Sequence, residues 1–317
     1  MCWRGCVIAY YSDTDEREGV KMLELKDVSV SFKKNQVLDA ITETFYPGDV
    51  VGLVAPNGTG KSTLLNVLMN HVPVDKGEVV LKGDMRYNRP KDKVAIHQVM
   101  SMMPDQADLY NHMNGWEHLK MYQKLWNTSQ IEIGELVEAL NMRHYVKKKV
   151  GTYSLGMRQR LCFAMQIVID TEVMLMDEVM NGLDPDNVTL ISEMIQKKQQ
   201  EGKIIIIASH LLENLEEYAS KIYFLVDGKL SLFVDKQKGY ENDVSFIKVT
   251  HPSKNLAKEL AEYGEMTWLT PTRLLLSGSD KEKSKALITD FFLKEKRSFS
   301  YGRLSLSDAY QLIFKKK

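Results

Sequence analysis

Apolar residues fall along this chain in three kinds of run, and their order sketches an architecture. Leu23 to Phe32 and Ala40 to Phe45 alternate apolar and polar positions, the period of half-buried antiparallel strands, and Pro47-Gly48 turns the chain onward. Val51 to Val54, Val173 to Met176 and Ile204 to Ala208 are instead continuously apolar, as strands buried on both faces of a parallel sheet are. From Leu109 to about Arg160 the pattern turns helical, with Trp116, Leu119, Tyr122, Leu125 and Trp126 at three- and four-residue spacing. That stripe reads first as the core of a helical subdomain, and second, for part of it, as a groove for a partner's helix.

After Phe233 the composition shifts. Lys236 to Asp243 is a polar linker, and the chain beyond it is regular: strand Val244–Val249, helix Ser253–Tyr263, strands Met266–Leu269 and Arg273–Leu276, helix Lys281–Lys294, strand Phe299–Tyr301 and helix Leu306–Phe314. That βαββαβ order with a terminal helix predicts a small α+β, ferredoxin-like domain. It carries no metal cluster, nucleophile or phosphate loop. The expected organisation is a disordered extension over residues 1–21, a large α/β domain over 22–235 and the accessory domain over 242–317.

Four motifs supply the chemistry, and their order matters more than any one of them. The apolar strand ending at Val54 runs into Ala55-Pro56-Asn57-Gly58-Thr59-Gly60-Lys61-Ser62-Thr63. Only backbone free of Cβ atoms curls closely around a phosphate, which Gly58 and Gly60 allow, and a helix starting near Lys61 points its positive end at the same place. Lys61 suits the β- and γ-phosphates of a nucleotide, and the Ser62 hydroxyl suits magnesium. The pattern G-x-x-x-x-G-K-[ST] would begin at Ala55, and alanine is tolerable there if the backbone is extended rather than left-handed.

Asp177 and Glu178 close a second apolar strand, at the sheet edge where α/β proteins bind ligands. Asp177 suits magnesium, and Glu178 suits the proton of an attacking water. Asn181-Gly182-Leu183-Asp184-Pro185 comes at once after them. Upstream stands Tyr153-Ser154-Leu155-Gly156-Met157-Arg158-Gln159-Arg160, and the strand Ile204–Ala208 runs into Ser209-His210.

Together these motifs resemble the nucleotide-binding domain of ATP-binding cassette (ABC) proteins over about Met22 to Asp235. The resemblance implies a P-loop NTPase fold: a RecA-like core with an antiparallel β subdomain and a helical subdomain. It makes Tyr153 to Arg160 the signature motif, whose Ser154 and Gly156 bind the γ-phosphate held by the other subunit. Asp184 becomes the acid of the loop that couples two subunits, His210 the switch histidine at the γ-phosphate, and Phe32 the aromatic that stacks on adenine.

Three positions depart from the family's pattern. Leu155 replaces the first glycine of the signature, although Ser-Leu-Gly-Met is similar to a variant in cassettes of the bacitracin and lantibiotic export type. Val179-Met180 replaces the Pro-Thr that often comes after the two acids. In Met103 to Tyr110, Asp105 occupies the magnesium-contacting place of a glutamine, with Gln106 one position late. A carboxylate suits a hard cation by charge but is one methylene shorter, so its coordination is expected to be indirect.

Charge narrows the partners. Lys+Arg and Asp+Glu are both 42 in 317 residues, so no net field draws the chain to nucleic acid. Lys147-Lys148-Lys149 reads as solvated charge. Cys2, Cys6 and Cys162 fit a reducing compartment without a disulfide framework. No apolar run approaches the roughly 18–20 residues that span a bilayer.

The function expected is therefore an ATP-hydrolysing, magnesium-dependent subunit on the cytoplasmic face of a bacterial membrane. It would dimerise to complete two ATP sites and would power a separate membrane permease, in the direction of peptide or antibiotic export. Two alternatives stay open: a soluble ABC ATPase acting on ribosomes or nucleic acid, and a cassette that binds ATP as a switch and hydrolyses it slowly.

Overall fold

Where residues alternate, the chain pairs in an antiparallel sheet; where they are uniformly apolar, it goes to the centre of a parallel one. In a computed structural model, residues 21–210, 212, 215–236, 246–251, 265–270, 272–277 and 299–314 are described. The extension expected over residues 1–21 lies, apart from Lys21, outside them. The chain divides into two compact units at Gln237–Lys238.

The strands of the first unit are β1 (Leu23–Phe32), β2 (Asn35–Phe45), β3 (Val50–Val54), β4 (Lys76–Leu81), β5 (Met85–Arg86), β6 (Met100–Met102), β7 (Val173–Asp177), β8 (Ile204–Ser209), β9 (Lys221–Val226) and β10 (Lys229–Asp235). One sheet, ordered β2-β1-β4-β5, is antiparallel. The other, ordered β10-β9-β3-β8-β7-β6, is parallel from β9 through β6 and carries β10 as an antiparallel edge. β3 and β8 are buried throughout, as their unbroken apolar runs require. β2 starts five residues before the alternation read at Ala40, because exposed Asn35 and Gln36 and buried Leu38 already pair with β1.

The helices are α1 (Lys61–Leu68), α2 (Pro90–Val99), α3 (Gly115–Trp126), α4 (Ile133–Ala139), α5 (Leu155–Ile169), α6 (Pro185–Gln200) and the short α7 (Leu215–Tyr218). The long helical pattern is thus broken into pieces by local chemistry. Asn114 and Glu117 form a reciprocal capping box that starts α3, and Asn127, at φ 51°, ends it in the left-handed conformation that asparagine tolerates. Within the aromatic stripe Leu119 is core, Tyr122 stacks on Trp126 at 5.4 Å, and Leu125 is 66% exposed. Lys147 to Lys149 are exposed, as expected of solvated charge.

The second unit contains β11 (Phe246–Thr250), β12 (Glu265–Thr270), β13 (Arg273–Ser277), β14 (Phe299–Gly302) and α8 (Leu306–Phe314). Its sheet is antiparallel in the order β12-β13-β11-β14, the interleaving that a split βαβ pair produces. The helices anticipated at Ser253–Tyr263 and Lys281–Lys294 lie outside the described residues. Phe246, Leu269 and Leu275 form a core against Leu304 and Leu312. Asp308, 1% exposed at the start of α8, meets Lys248 Nζ at 2.5 Å and Arg273 Nη1 at 3.0 Å. Burial raises its carboxyl, but bonds from Lys248 and Ser305 and the two positive charges outweigh that and hold its pKa low. Among the described residues no helix is long and apolar enough to cross a membrane.

Candidate functional site

Register brings the motif strands out at one edge. Val54 pairs with Ser209 across β3 and β8, and Asp177 pairs with Ala208 across β7 and β8. Residues 55, 178 and 210 therefore leave three neighbouring strands side by side, at the carboxyl edge where open α/β sheets bind ligands.

The loop from Ala55 to Gly60 turns directly into α1. Ala55 is fully buried and is not among the positive-φ residues, so a methyl group costs nothing where the pattern usually has glycine. Gly60 is different. At φ 112° an added Cβ would also lie 2.8 Å from Val37 Cγ1, so glycine is required twice over. Thr59 Oγ1 closes the loop by donating to Pro56 O at 2.7 Å, while Asn57 and Gly58 are exposed at its tip. The Lys61 ammonium donates to Ala55 O at 2.7 Å and Pro56 O at 3.3 Å. Burial lowers its pKa, and the charges of Glu178 and Asp177 oppose that shift. Thr63 is half-buried in the first turn of α1, and Phe32, at the end of β1, is 49% exposed.

Ser62 Oγ donates to Asp177 Oδ2 at 2.5 Å, joining phosphate loop to acidic strand end. Burial raises the Asp177 carboxyl, the Ser62 hydrogen bond opposes, and the charges of Glu178 and Asp105 add to the rise against Lys61. Glu178 sits at φ 51°, with its N–H donated to Ala208 O at 2.9 Å. Its Oε2 lies 2.7 Å from His210 Nδ1, and both atoms are buried without a hydrogen bond. Loop, acids and histidine thus converge.

Hard oxygen donors suit magnesium, and Ser62 and Asp177 supply two of them already in contact. Among the described residues no group of three or more His, Cys, Asp or Glu side chains could hold a metal by itself. A site completed by substrate phosphates and water fits that donor set. Asp105 contributes its field to Asp177, while its carboxylate accepts from Ala107 N and caps the turn Gln106–Asp108.

The signature residues are placed differently. Ser154 caps α5, its hydroxyl accepting from Met157 N at 3.3 Å, and Asp184 caps α6, accepting from Asn187 N at 2.9 Å. That N–H holds the Asp184 carboxyl below its ordinary range. Leu155 is 59% exposed and lies over Gly182: a Cβ on Gly182, at φ 75°, would meet Leu155 Cδ2 at 2.6 Å. Gly156 is similarly close to Gly182 O. Ser154 and Asp184 thus bond within their own helices, and Gly156 packs on the Gly182 turn, rather than on the phosphate loop of the same chain.

Sequence reasoning missed Gln159. It is 4% exposed, and its amide donates to both Glu178 O and Val179 O at 3.0 Å. Its carbonyl accepts from Gln106 Nε2. A polar side chain on an almost wholly buried stretch of α5 was the signal that could have found it. Cys162, its neighbour on that helix, is an inert thiol, pushed up to about 12 by burial.

Comparison with known proteins meets this geometry from outside. A family profile described as ABC transporter matches residues 38–181. The uncharacterized ABC transporter ATP-binding protein YhcH of Bacillus subtilis is 29% identical over 282 residues, covering 88% of this chain and 90% of its own. The lantibiotic transport ATP-binding protein SrtF of Streptococcus pyogenes is 28% identical over 211 residues, 67% of this chain and 90% of its own. Among solved structures, an ATP-binding subunit of an ABC transporter superposes with a TM-score of 0.60 at 22% identity, over 66% of this chain and 88% of that one. A nucleotide-free ATP-binding cassette gives 0.56 at 21%, over 66% and 89%. The structural matches share the fold.

Proposed function

This chain belongs to the ATP-binding proteins of ABC transporters, ATPases that drive transport and act with a membrane permease, and from that premise we propose how its residues divide the work. Phe32 stacks on adenine. The loop Ala55-Pro56-Asn57-Gly58-Thr59-Gly60-Lys61-Ser62-Thr63 wraps the phosphates, and Lys61 exchanges Ala55 O and Pro56 O for β- and γ-phosphate oxygens. Ser62 and Asp177 would hold magnesium, with Asp105 adding negative charge nearby. The ion's chemistry there is to neutralise charge developing between the β- and γ-phosphates.

Glu178 takes the proton of the attacking water, and His210 supports the γ-phosphate from the next strand. Ser154 and Gly156 act on nucleotide held by a partner cassette, and Asp184 couples the two subunits. Two chains, identical or related, close on two ATP and open on hydrolysis, at the cytoplasmic face of a bacterial membrane. Cargo passes through the permease, and the resemblance to a lantibiotic transport protein supports peptide export. The Ser62–Asp177 bond beside the Glu178–His210 pair carries the reading, because it brings three separate motifs to one sheet edge.

The experiment is ATPase measurement of the chain with its permease in liposomes. Hydrolysis should require magnesium and Glu178, and a cationic peptide should stimulate it. Stimulation by a sugar or amino acid alone would remove the peptide reading. Activity that persists in EDTA would remove the magnesium reading.

A further inference from the structure

The bond pattern of Gln159 is unusual for a residue in the middle of a capped helix. One Nε2 carries two hydrogens, and here both go to successive carbonyls, those of Glu178 and Val179, each at 3.0 Å. Successive carbonyls of an extended strand point in opposite directions, so one amide cannot hold both. They turn the same way here because the backbone leaves β7 at Asp177 and passes through the left-handed region at Glu178, φ 51°. A glutamate gains nothing of its own in that conformation, which L residues other than glycine, asparagine and aspartate visit rarely. Something must hold it there. Glu178 N is fixed by Ala208 O on one side, and Gln159 fixes its carbonyl on the other.

The third bond of Gln159 leads elsewhere. Its Oε1 accepts from Gln106 Nε2, and Gln106 opens the short turn Gln106–Asp108 that Asp105 and Asp108 cap reciprocally. Gln159 thus stands between that turn, half-exposed at Gln106, and the backbone of the proposed base.

We infer that Gln159 is a positioning residue for Glu178, and that Gln106 transmits the state of the Asp105–Asp108 turn to it. The inference rests on the assignment of Glu178 as the base. When the turn shifts, Gln159 loses its acceptor-side anchor, its grip on the two carbonyls loosens, and the Glu178 carboxylate leaves its line with the attacking water. Neither glutamine touches nucleotide in this account. The effect should therefore fall on turnover and leave ATP binding alone, since displacement of a catalytic group by about 1 Å costs up to about 100-fold.

The test uses the full-length chain and ATP with magnesium. Gln159→Met keeps the length and removes every bond. It should lower kcat about 10- to 100-fold with KM for ATP within about two-fold. Gln106→Leu cuts only the relay from a half-exposed position and should lower kcat several-fold, and the double variant should be no slower than Gln159→Met alone. Gln159→Lys combined with Gln106→Glu restores a donor to the two carbonyls and a partner to the donor, and should recover most of the lost kcat. Parent kcat in Gln159→Met, no recovery in the reversed pair, or a fall in kcat matched by a rise in KM would each overturn the inference. If Gln159→Met does not fold, Gln106→Leu decides, and parent kcat there overturns it. Glu178→Gln in the same assay separates the two claims. Parent turnover in that variant removes the base and this inference together. An inactive Glu178→Gln beside fully active glutamine variants removes this inference alone.

Discussion

At the carboxyl ends of β3, β7 and β8 the polar side chains already lie together: Ser62 bonds to Asp177, Glu178 Oε2 lies 2.7 Å from His210 Nδ1, and Lys61 bonds to the carbonyls of its own loop. At the heads of α5 and α6, Ser154 and Asp184 spend their side-chain oxygens on N–H groups of their own helices. The first edge is a nearly finished half of a site. The second is a pair of exposed helix ends whose caps bond only locally. Backbone N–H groups at a helix start are suited to a phosphate, so under the proposed function the second edge would be a half-site as well, for nucleotide held by another chain. The division is what the proposed sharing of sites between two copies would require.

The largest effect should come from the first edge. Glu178→Gln keeps the shape and removes the base, so kcat should fall about 10²- to 10⁴-fold, roughly 3–5 kcal/mol of barrier, while ATP binding holds and an ATP-bound dimer accumulates. Stopped-flow turnover and size-exclusion chromatography with ATP read the two outcomes. Parent turnover would move the base elsewhere and erase the asymmetry between the edges. Next comes Lys61→Ala, which should weaken ATP binding itself about 100-fold, close to 2.7 kcal/mol, by equilibrium titration. His210→Ala should slow turnover without trapping the dimer.

A smaller effect probes the second edge. Gly182→Ala places a methyl group 2.6 Å from Leu155 Cδ2 at φ 75°, so turnover should drop several-fold. Adding Leu155→Ala should return part of it, because the clash goes while the backbone strain of about 1 kcal/mol remains. No return would place the fault in the backbone alone.

The smallest effect on turnover belongs to the second unit. Asp308→Asn should leave basal ATPase of the folded chain unchanged yet lower thermal stability by about 2–3 kcal/mol at neutral pH, having lost its charged bonds to Lys248 and Arg273. The sign of the pH dependence comes from a folded pKa held below the unfolded value of about 4. Its stabilisation is full above about pH 4 and is lost as pH falls through the folded value, so melting in that acid window should flatten in the variant. A change in turnover would mean that the two-edge account omits the second unit wrongly.

The first edge was legible in the sequence because its parts are local. A glycine-rich loop, two acids after an apolar run and a histidine after another each announce themselves within a few residues. Their neighbourhood was not legible, since β3 lies beside β8 and β9 only through crossovers that no short window contains. Within the described residues the strands and helices anticipated were of the right type, with β1 and α8 read to the residue. β2 was read short because it opens on the exposed polar pair Asn35 and Gln36, which carries no apolar signal. The long helical stretch was read as one region, although Asn114-x-x-Glu117 and Asn127 mark where α3 starts and stops. Gln159 was missed because its partners lie 19, 20 and 53 residues away, a relation that only the folded chain makes visible.

The sharing of sites between chains is the central claim, and mixing two inactive variants tests it most directly. Lys61→Ala spoils the first edge and Ser154→Arg the second, so each variant alone should hydrolyse almost no ATP. In a mixed dimer one composite site keeps an intact Lys61 edge from one chain and an intact Ser154 edge from the other. Equal mixing should recover up to about a quarter of the parent rate, because half of randomly paired dimers are mixed and each holds one good site. No recovery at any ratio would contradict the account.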